Sequence, residues 1–318
     1  MAGRDVVLCE CFARDGLQHE PEFVATADKI ALIDMFTTAG FARVEATSYS
    51  HPAQVPAFRD ATEVLKGILR GRGVFYKATC PNLRAVRRAL DDLAVNAGAN
   101  ELSLLVSATE AHTERNLRTT RAAQWEAVAA MAEASRGRAR LVGVISMAFG
   151  CPFDGEVDPG RVAADAAQFA ELGAEILTLG DTIGTATPRR VKEVFARVKA
   201  AAPDIIPVAH FHDTRGSGIA NCLAALDVGC TYFDSAFGGV GGHPSQIEYG
   251  AGMTGNVATE DLVNIMEELG VSTGLDLERV MDASRQCEAV LGRQLESRVA
   301  RSGFGLKAGK GRLWTSQQ

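Results

Sequence analysis

Residues 207–212, Pro-Val-Ala-His-Phe-His, form a short β-rich run that closes on two histidines and leads through Asp213 into a helical pattern over Gly216–Val228. Side chains alternate faces along a strand, so His210 and His212 project to one side and can share a single ion as ligands. A strand followed by an amphipathic stretch is one unit of a repeat, and the repeat decides the fold.

Outward from that unit, the runs Val6–Glu10, Arg43–Ala46, Val74–Thr79, Glu101–Val106, Leu141–Ser146 and Glu175–Leu179 precede it, and Tyr232–Ser235 follows. They are separated by helical patterns such as Thr26–Ala39, Leu83–Leu93 and Gly160–Ala170. Eight strand–helix units read as an α/β TIM barrel, placed over residues 1–270 because no Pro/Gly/Ser-rich linker interrupts the series. Residues 271–318 are expected to form a C-terminal extension packed on the barrel. Glu260–Gly270 and Leu277–Leu291 read as helices, and a basic segment runs from Arg298 to Arg312. An open doubly wound sheet competes, but no GxGxxG follows the first strand.

Composition narrows the function. The 318 residues are 47% hydrophobic and carry a net charge of −6 with no long basic run. That argues against nucleic acid or an anionic membrane as the main partner and favours a small-molecule substrate. Seven scattered cysteines without a CxxC pair indicate neither a disulfide framework nor a zinc knuckle. No apolar leader or membrane-length window is present, so a soluble protein in a reducing cytoplasm is expected. Met266 and Leu269 are candidates for a homodimer face or for packing within the chain.

Active sites of TIM barrels lie at the C-terminal ends of the strands. There the sequence places Glu10 and Arg14-Asp15-Gly16-Leu17-Gln18 after the first strand, and Glu45 with Thr47 and Ser48 on the second. Asp181-Thr182 follow the sixth strand, and His210 and His212 close the seventh. Two imidazoles, the Asp15 carboxylate and the Asn256 amide oxygen make a mixed N/O set that suits Mg²⁺ or Mn²⁺ with open positions, rather than a closed thiolate zinc site. The alternative for a single strand-end histidine is a hydrogen-bonded core residue. With Asp15 on a metal, Arg14 is free to stabilise a substrate oxyanion, the alternative being a salt bridge to Glu10 or Glu45. Gln18 is expected to contact substrate or support the site. Glu45 and Asp181 are expected to orient metal-bound water or Arg14, or else to be solvated at the barrel mouth. A glycine-rich loop from Phe237 to His243-Pro244 is placed to close over the site.

Arg14-Asp15-Gly16-Leu17-Gln18, Val44-Glu45-Ala46-Thr47-Ser48, Gly150-Cys151-Pro152-Phe153, Leu179–Gly184, His210-Phe211-His212-Asp213-Thr214 and Gly255–Leu262 together resemble the 3-hydroxy-3-methylglutaryl-CoA lyase family, from about Val6 to about residue 300. The resemblance implies a metal-dependent TIM-barrel lyase that cleaves a 3-hydroxyacyl-CoA by retro-Claisen chemistry. It implies Asp15, His210, His212 and Asn256 as metal ligands, Arg14 as the catalytic arginine, and Glu45 and Asp181 as supporting acids, while Thr182 is expected, with Gln18, to contact substrate. The sequence departs from the family at its loop, which reads Gly-Gly-His243-Pro where the family has Gly-Gly-Cys-Pro and is a few residues longer. His243 is the expected replacement acid/base, since imidazole titrates near neutrality, and a loop hydrogen bond is its alternative role.

Three other readings stay open on the residues. A Claisen-condensing synthase of the isopropylmalate or homocitrate type shares the barrel and metal set, but usually carries further C-terminal regions. An aldolase acting on a CoA-free hydroxy-keto acid would not depend on CoA, and a non-catalytic barrel would have no reason to keep Arg14, Asp15, His210 and His212. The basic tail, Arg298, Arg301, Lys307, Lys310 and Arg312, either reaches CoA phosphates or is a solvated end.

Overall fold

The computed structural model describes residues 3–242 and 255–308. Eight parallel strands close into a barrel in chain order: β1 (Val7–Glu10), β2 (Arg43–Ser48), β3 (Phe75–Thr79), β4 (Glu101–Ser107), β5 (Arg140–Ser146), β6 (Ile176–Asp181), β7 (Ile206–Phe211) and β8 (Tyr232–Ser235). Closure is at β1 and β8, where Val7 aligns with Tyr232 and Cys9 with Asp234. The fold is therefore the TIM barrel that the strand–helix repeat implies, not an open sheet.

In the helix Pro188–Ala201 a start signal and an apolar stripe coincide. Thr187 caps the helix Pro188–Ala201 by accepting from the Arg190 N–H, Pro188 sits where no donor is needed, and Val191, Val194, Phe195 and Val198 turn inward. Each such buried side chain contributes roughly 1.5–3 kcal/mol of transfer free energy. Leu277–Leu291 is capped by Asp276 and packs against the helix Thr26–Ala39. Its Val280, Ala283 and Cys287 join the same core as Leu295, Val299 and Phe304. Met266 is fully buried within the chain, whereas Leu269 is exposed. The described part of the basic tail is tied to the chain's own acids, with Arg301 paired to Glu288 and the Lys307 N–H donating to Glu268. No helix among the described residues is long and apolar enough to cross a membrane.

Strand ends differ from the sequence reading in an informative way. Thr47-Ser48 and Gly180-Asp181, just beyond the runs Arg43–Ala46 and Glu175–Leu179 read from the sequence, continue β2 and β6 into the barrel mouth. The register shifts between Glu45 and Thr47 against β3, a bulge that re-aims the end of β2. His212 lies one residue beyond β7 and makes an isolated bridge with Asn256.

The barrel interior is split. One side is aliphatic, built from Val142, Ile176 and Val208, as expected for branched residues filling such a barrel. The other side carries a line of buried charges. Arg140 and Arg43 flank Glu101 at 3.2 and 2.9 Å. Arg43 and Lys77 reach Asp234 at 3.7 and 3.3 Å, and Lys77 continues to Glu45 at 3.6 Å. Glu45 then meets Arg14 at 2.9 Å, and Arg14 meets Asp15 at 2.5 Å. Four cations and four carboxylates thus alternate from the N-terminal end of the barrel to its C-terminal mouth.

Candidate active site

Arg14 and Asp15 sit on the turn after β1, which is held by backbone hydrogen bonds from Arg14, Asp15 and Gly16 to the Cys11 carbonyl. Arg14 is clamped rather than free. Its Nε donates to Glu45 at 2.9 Å and to Thr79 at 3.0 Å, Nη2 donates to Thr79 at 2.9 Å, and Nη1 donates to Asp15. The salt bridge to Glu45 considered from sequence is therefore present, and its side chain still keeps 19% exposure toward the mouth. Glu10 does not pair with Arg14. It accepts from the backbones of Phe12 and Phe237 and lies 2.6 Å from Thr259 Oγ1, fully buried.

Asp15, His210 and His212 bring ligand atoms within 4.8 Å of one another. The two imidazoles face each other, Nε2 to Nε2, at 3.1 Å. Each has its other nitrogen engaged behind it, His210 Nδ1 by Asp234 at 3.2 Å and His212 Nδ1 by the Thr182 carbonyl at 2.9 Å. A carbonyl only accepts, so His212 donates from Nδ1 and presents a bare Nε2 forward. Asn256 completes the group. Its Nδ2 donates to Asp15 Oδ2 at 2.6 Å and to the Val240 carbonyl, while its Oδ1 is buried with no hydrogen-bond partner among the described residues. An orphaned amide oxygen beside two converging Nε2 atoms and a carboxylate fits a hard divalent cation.

Charge follows the same logic. Burial alone would raise the Asp15 carboxyl, but Arg14, His210 and His212 overcome it and bring it down to about 2. Burial opposes the charge on His210, yet Asp234 lifts its titration above the ordinary imidazole value. Asp234 is itself held well below the carboxylate range, because Lys77, His210 and Arg43 outweigh its burial.

The glycine-rich loop after β8 packs onto the ligand-bearing turn. Gly241 has φ +92°, and a Cβ there would stand 2.4 Å from the Asp15 carbonyl oxygen. Only glycine tolerates both the backbone and the approach. The rest of that loop, His243 included, lies outside the described residues, as do Lys310 and Arg312 of the tail.

The remaining candidates sit around this centre. Both carboxylate oxygens of Asp181 are taken by the Thr185 and Ala186 N–H groups at 2.9 and 3.0 Å, shaping the turn after β6, and burial pushes the acid up to about 6. Thr182 uses its carbonyl on His212 and accepts the Met147 N–H with its hydroxyl. Gln18 lies 3.2 Å from His19 on the short 3₁₀ turn Gly16–His19. Sequence reasoning passed over Asp234, Lys77 and Thr79, which brace His210, Glu45 and Arg14. Their signal was a polar residue within a strand, Lys77 on β3 in register with Glu45 and Asp234 on β8 in register with His210, with Thr79 two residues beyond Lys77 on the same face.

Residues 5–287 match the HMGL-like family. A hydroxymethylglutaryl-CoA lyase of Bacillus subtilis is 37% identical over 93% of this chain and 96% of its own length. A 3-hydroxy-3-isohexenylglutaryl-CoA/hydroxy-methylglutaryl-CoA lyase of Pseudomonas aeruginosa is 37% identical over 94% and 97%. The solved structure of an Acinetobacter baumannii HMG-CoA lyase in complex with coenzyme A and 3-methylmalate superposes with a TM-score of 0.87, at 38% identity, covering 94% of this chain and 95% of that one. With the barrel, the Arg14-Asp15 turn and the histidine pair already in place, this chain belongs to the HMGL-like family.

Proposed function

We propose that this protein is a divalent-metal-dependent carbon–carbon lyase that cleaves 3-hydroxy-3-methylglutaryl-CoA, or a close 3-hydroxyacyl-CoA relative, to acetyl-CoA and a keto acid, which is acetoacetate for hydroxymethylglutaryl-CoA. The observation that carries the reading is the convergence of Asp15, His210, His212 and the orphaned Asn256 Oδ1 directly beside the Arg14 guanidinium. The similar lyases that cover nearly the whole chain support it.

Asp15, His210, His212 and Asn256 would hold Mg²⁺ or Mn²⁺, which supplies Lewis-acid polarisation of the substrate's oxygens. Arg14, fixed by Glu45, Thr79 and Asp15, presents its remaining guanidinium surface to the C3 oxygen as it becomes a carbonyl. The C3 hydroxyl proton passes to a base, the C2–C3 bond breaks, and its electron pair moves into the thioester enolate. A proton delivered to C2 then completes acetyl-CoA. All seven cysteines are buried, and the loop position that carries cysteine in the family is His243 here, so we assign the proton transfer to that imidazole. Gln18 and Thr182 line the approach as substrate contacts, and Asp181 shapes the turn that carries Thr182.

The test is product analysis by mass spectrometry after incubation with Mg²⁺ or Mn²⁺ and hydroxymethylglutaryl-CoA, alongside larger 3-hydroxyacyl-CoA thioesters, with His210→Ala as control. Metal-dependent acetyl-CoA and acetoacetate are expected. Cleavage of only a larger thioester would keep the reaction and change the acyl group. Failure with all of them, together with condensation of acetyl-CoA onto a keto acid, would make the protein a synthase.

A further inference from the structure

At the N-terminal end of the barrel, opposite Arg14 and the histidines, a cavity of about 810 Å³ opens between the starts of β1, β2, β3, β5 and β8. Its size is that of a small-molecule site. Four arginines line it, Arg43, Arg136, Arg138 and Arg140, against one lining carboxylate, Glu175.

Two of these guanidinium groups are fixed in advance. Arg43 is 1% exposed, pinned on Glu101 with Nε at 3.0 Å from Oε2, and lies beside the Tyr232 ring at 5.9 Å. Arg140 stacks on the Phe75 ring at 4.6 Å and shares Glu101 from the other side. Stacked, ion-paired arginines lose little further freedom when their forks meet an oxyanion. Glu101 serves both, Arg43 also reaches Asp234 at 3.7 Å and Arg140 also reaches Glu175 at 3.2 Å, so the positive charge left over at the cavity is that of Arg138. Two of these partners sit at the edge, Glu175 on Arg140 at 61% and Glu133 on Arg136 at 71% side-chain exposure, where water screens them. Arg138 forms no ion pair among the described residues.

A charged floor is also unexpected on general grounds. The bottom layer of such a barrel is ordinarily aliphatic packing, and departures from local packing rules concentrate at sites with a task.

We propose that this cavity is a second ligand site, separate from the lyase centre, which takes a small organic anion bearing two or more carboxylate or phosphate oxygens. Arg140 forms its fixed arm, held by the buried Arg43–Glu101 pair, and Arg138 its mobile rim. Carboxylates and phosphates share the oxyanion geometry that arginine forks match.

The experiment is isothermal titration calorimetry on the metal-loaded full chain with tricarballylate, inorganic phosphate and adenosine monophosphate as probes. Binding by at least one is expected. Tricarballylate alone would mark a polycarboxylate site, and the phosphates alone a phosphoryl site. Arg138→Glu, at an exposed position where folding is not at stake, should weaken binding about tenfold or more. Arg140→Met should do the same. Arg14→Ala should bind as the wild type does. Three results would overturn the proposal: no binding by any probe, binding unchanged by Arg138→Glu, or binding lost in Arg14→Ala, which would put the anion at the lyase centre.

Discussion

His210 points one ring nitrogen at Asp234, 3.2 Å away, and the other at His212, 3.1 Å away. Asp234 is fixed from behind by Lys77 at 3.3 Å, so the ring is oriented by a carboxylate that cannot swing. Histidines that bind metal depend on such outer partners for tautomer and basicity.

Asp234→Asn should therefore weaken Mn²⁺ binding by about 10–100-fold while leaving Asp15, His212 and Asn256 in place. Titration followed by electron paramagnetic resonance of free Mn²⁺ measures this directly. Unchanged affinity would mean that His210 is not a ligand.

Arg14→Lys keeps the charge but cannot span Asp15, Glu45 and Thr79 together. Loss of this fixed oxyanion donor should lower kcat by about 10²–10³-fold. KM and the melting temperature should change little. A drop in KM alongside kcat would point instead to ground-state strain.

Arg43 and Glu101 are a buried pair at 1% and 0% side-chain exposure. Arg43→Met should cost about 3–5 kcal/mol in urea unfolding, because Glu101 and Asp234 lose a counter-charge. Arg43→Met with Glu101→Leu should recover part of that loss. A double variant no better than the sum of the singles would show that the two do not interact energetically.

Glu10 is a buried acid whose carboxyl burial pushes up to about 8 from 4.5. Thr259 Oγ1 donates to Glu10 at 2.6 Å and lies 2.8 Å from Ser235 Oγ, but this bond and those from the Phe12 and Phe237 N–H groups do not offset burial, so the carboxyl holds its proton to higher pH in the fold. The unfolded chain gives up this proton above 4.5 and the folded one only near 8, so this contribution to stability falls as pH rises between the two. Glu10→Gln mimics the neutral acid. Its melting temperature should be flatter than the wild type's between about pH 5 and pH 8, and an unchanged slope would mean that Glu10 is ionised in the fold.

Much of this was legible in the sequence because it lay at strand ends, where polarity is conspicuous. His210 and His212 could be picked out by their spacing and Asp15 by its place after the first strand, and the strand–helix repeat indicated where they would stand. Asn256 was harder, since its partnership with Asp15 spans the whole chain. Arg43, Lys77 and Asp234 escaped notice because barrel interiors are presumed aliphatic, and an isolated cation within a strand reads as a solvent-facing residue. Their inward direction is set by register with neighbouring strands, and the strand pairs that make it visible are remote in sequence. Asp181 shows the converse. Its place at a strand end suggested a role toward the metal, and its oxygens are instead committed to the turn behind it.

The alternating charges along the barrel axis work as a ratchet on the lineage. Replacing any one of these arginines, lysines or acids by valine strands a partner in a dry environment, so change along the axis must proceed by coupled replacements. Anyone seeking to retune this lyase for another acyl group would do well to vary the rim and the loop beyond Gly242, and to inherit the axis whole.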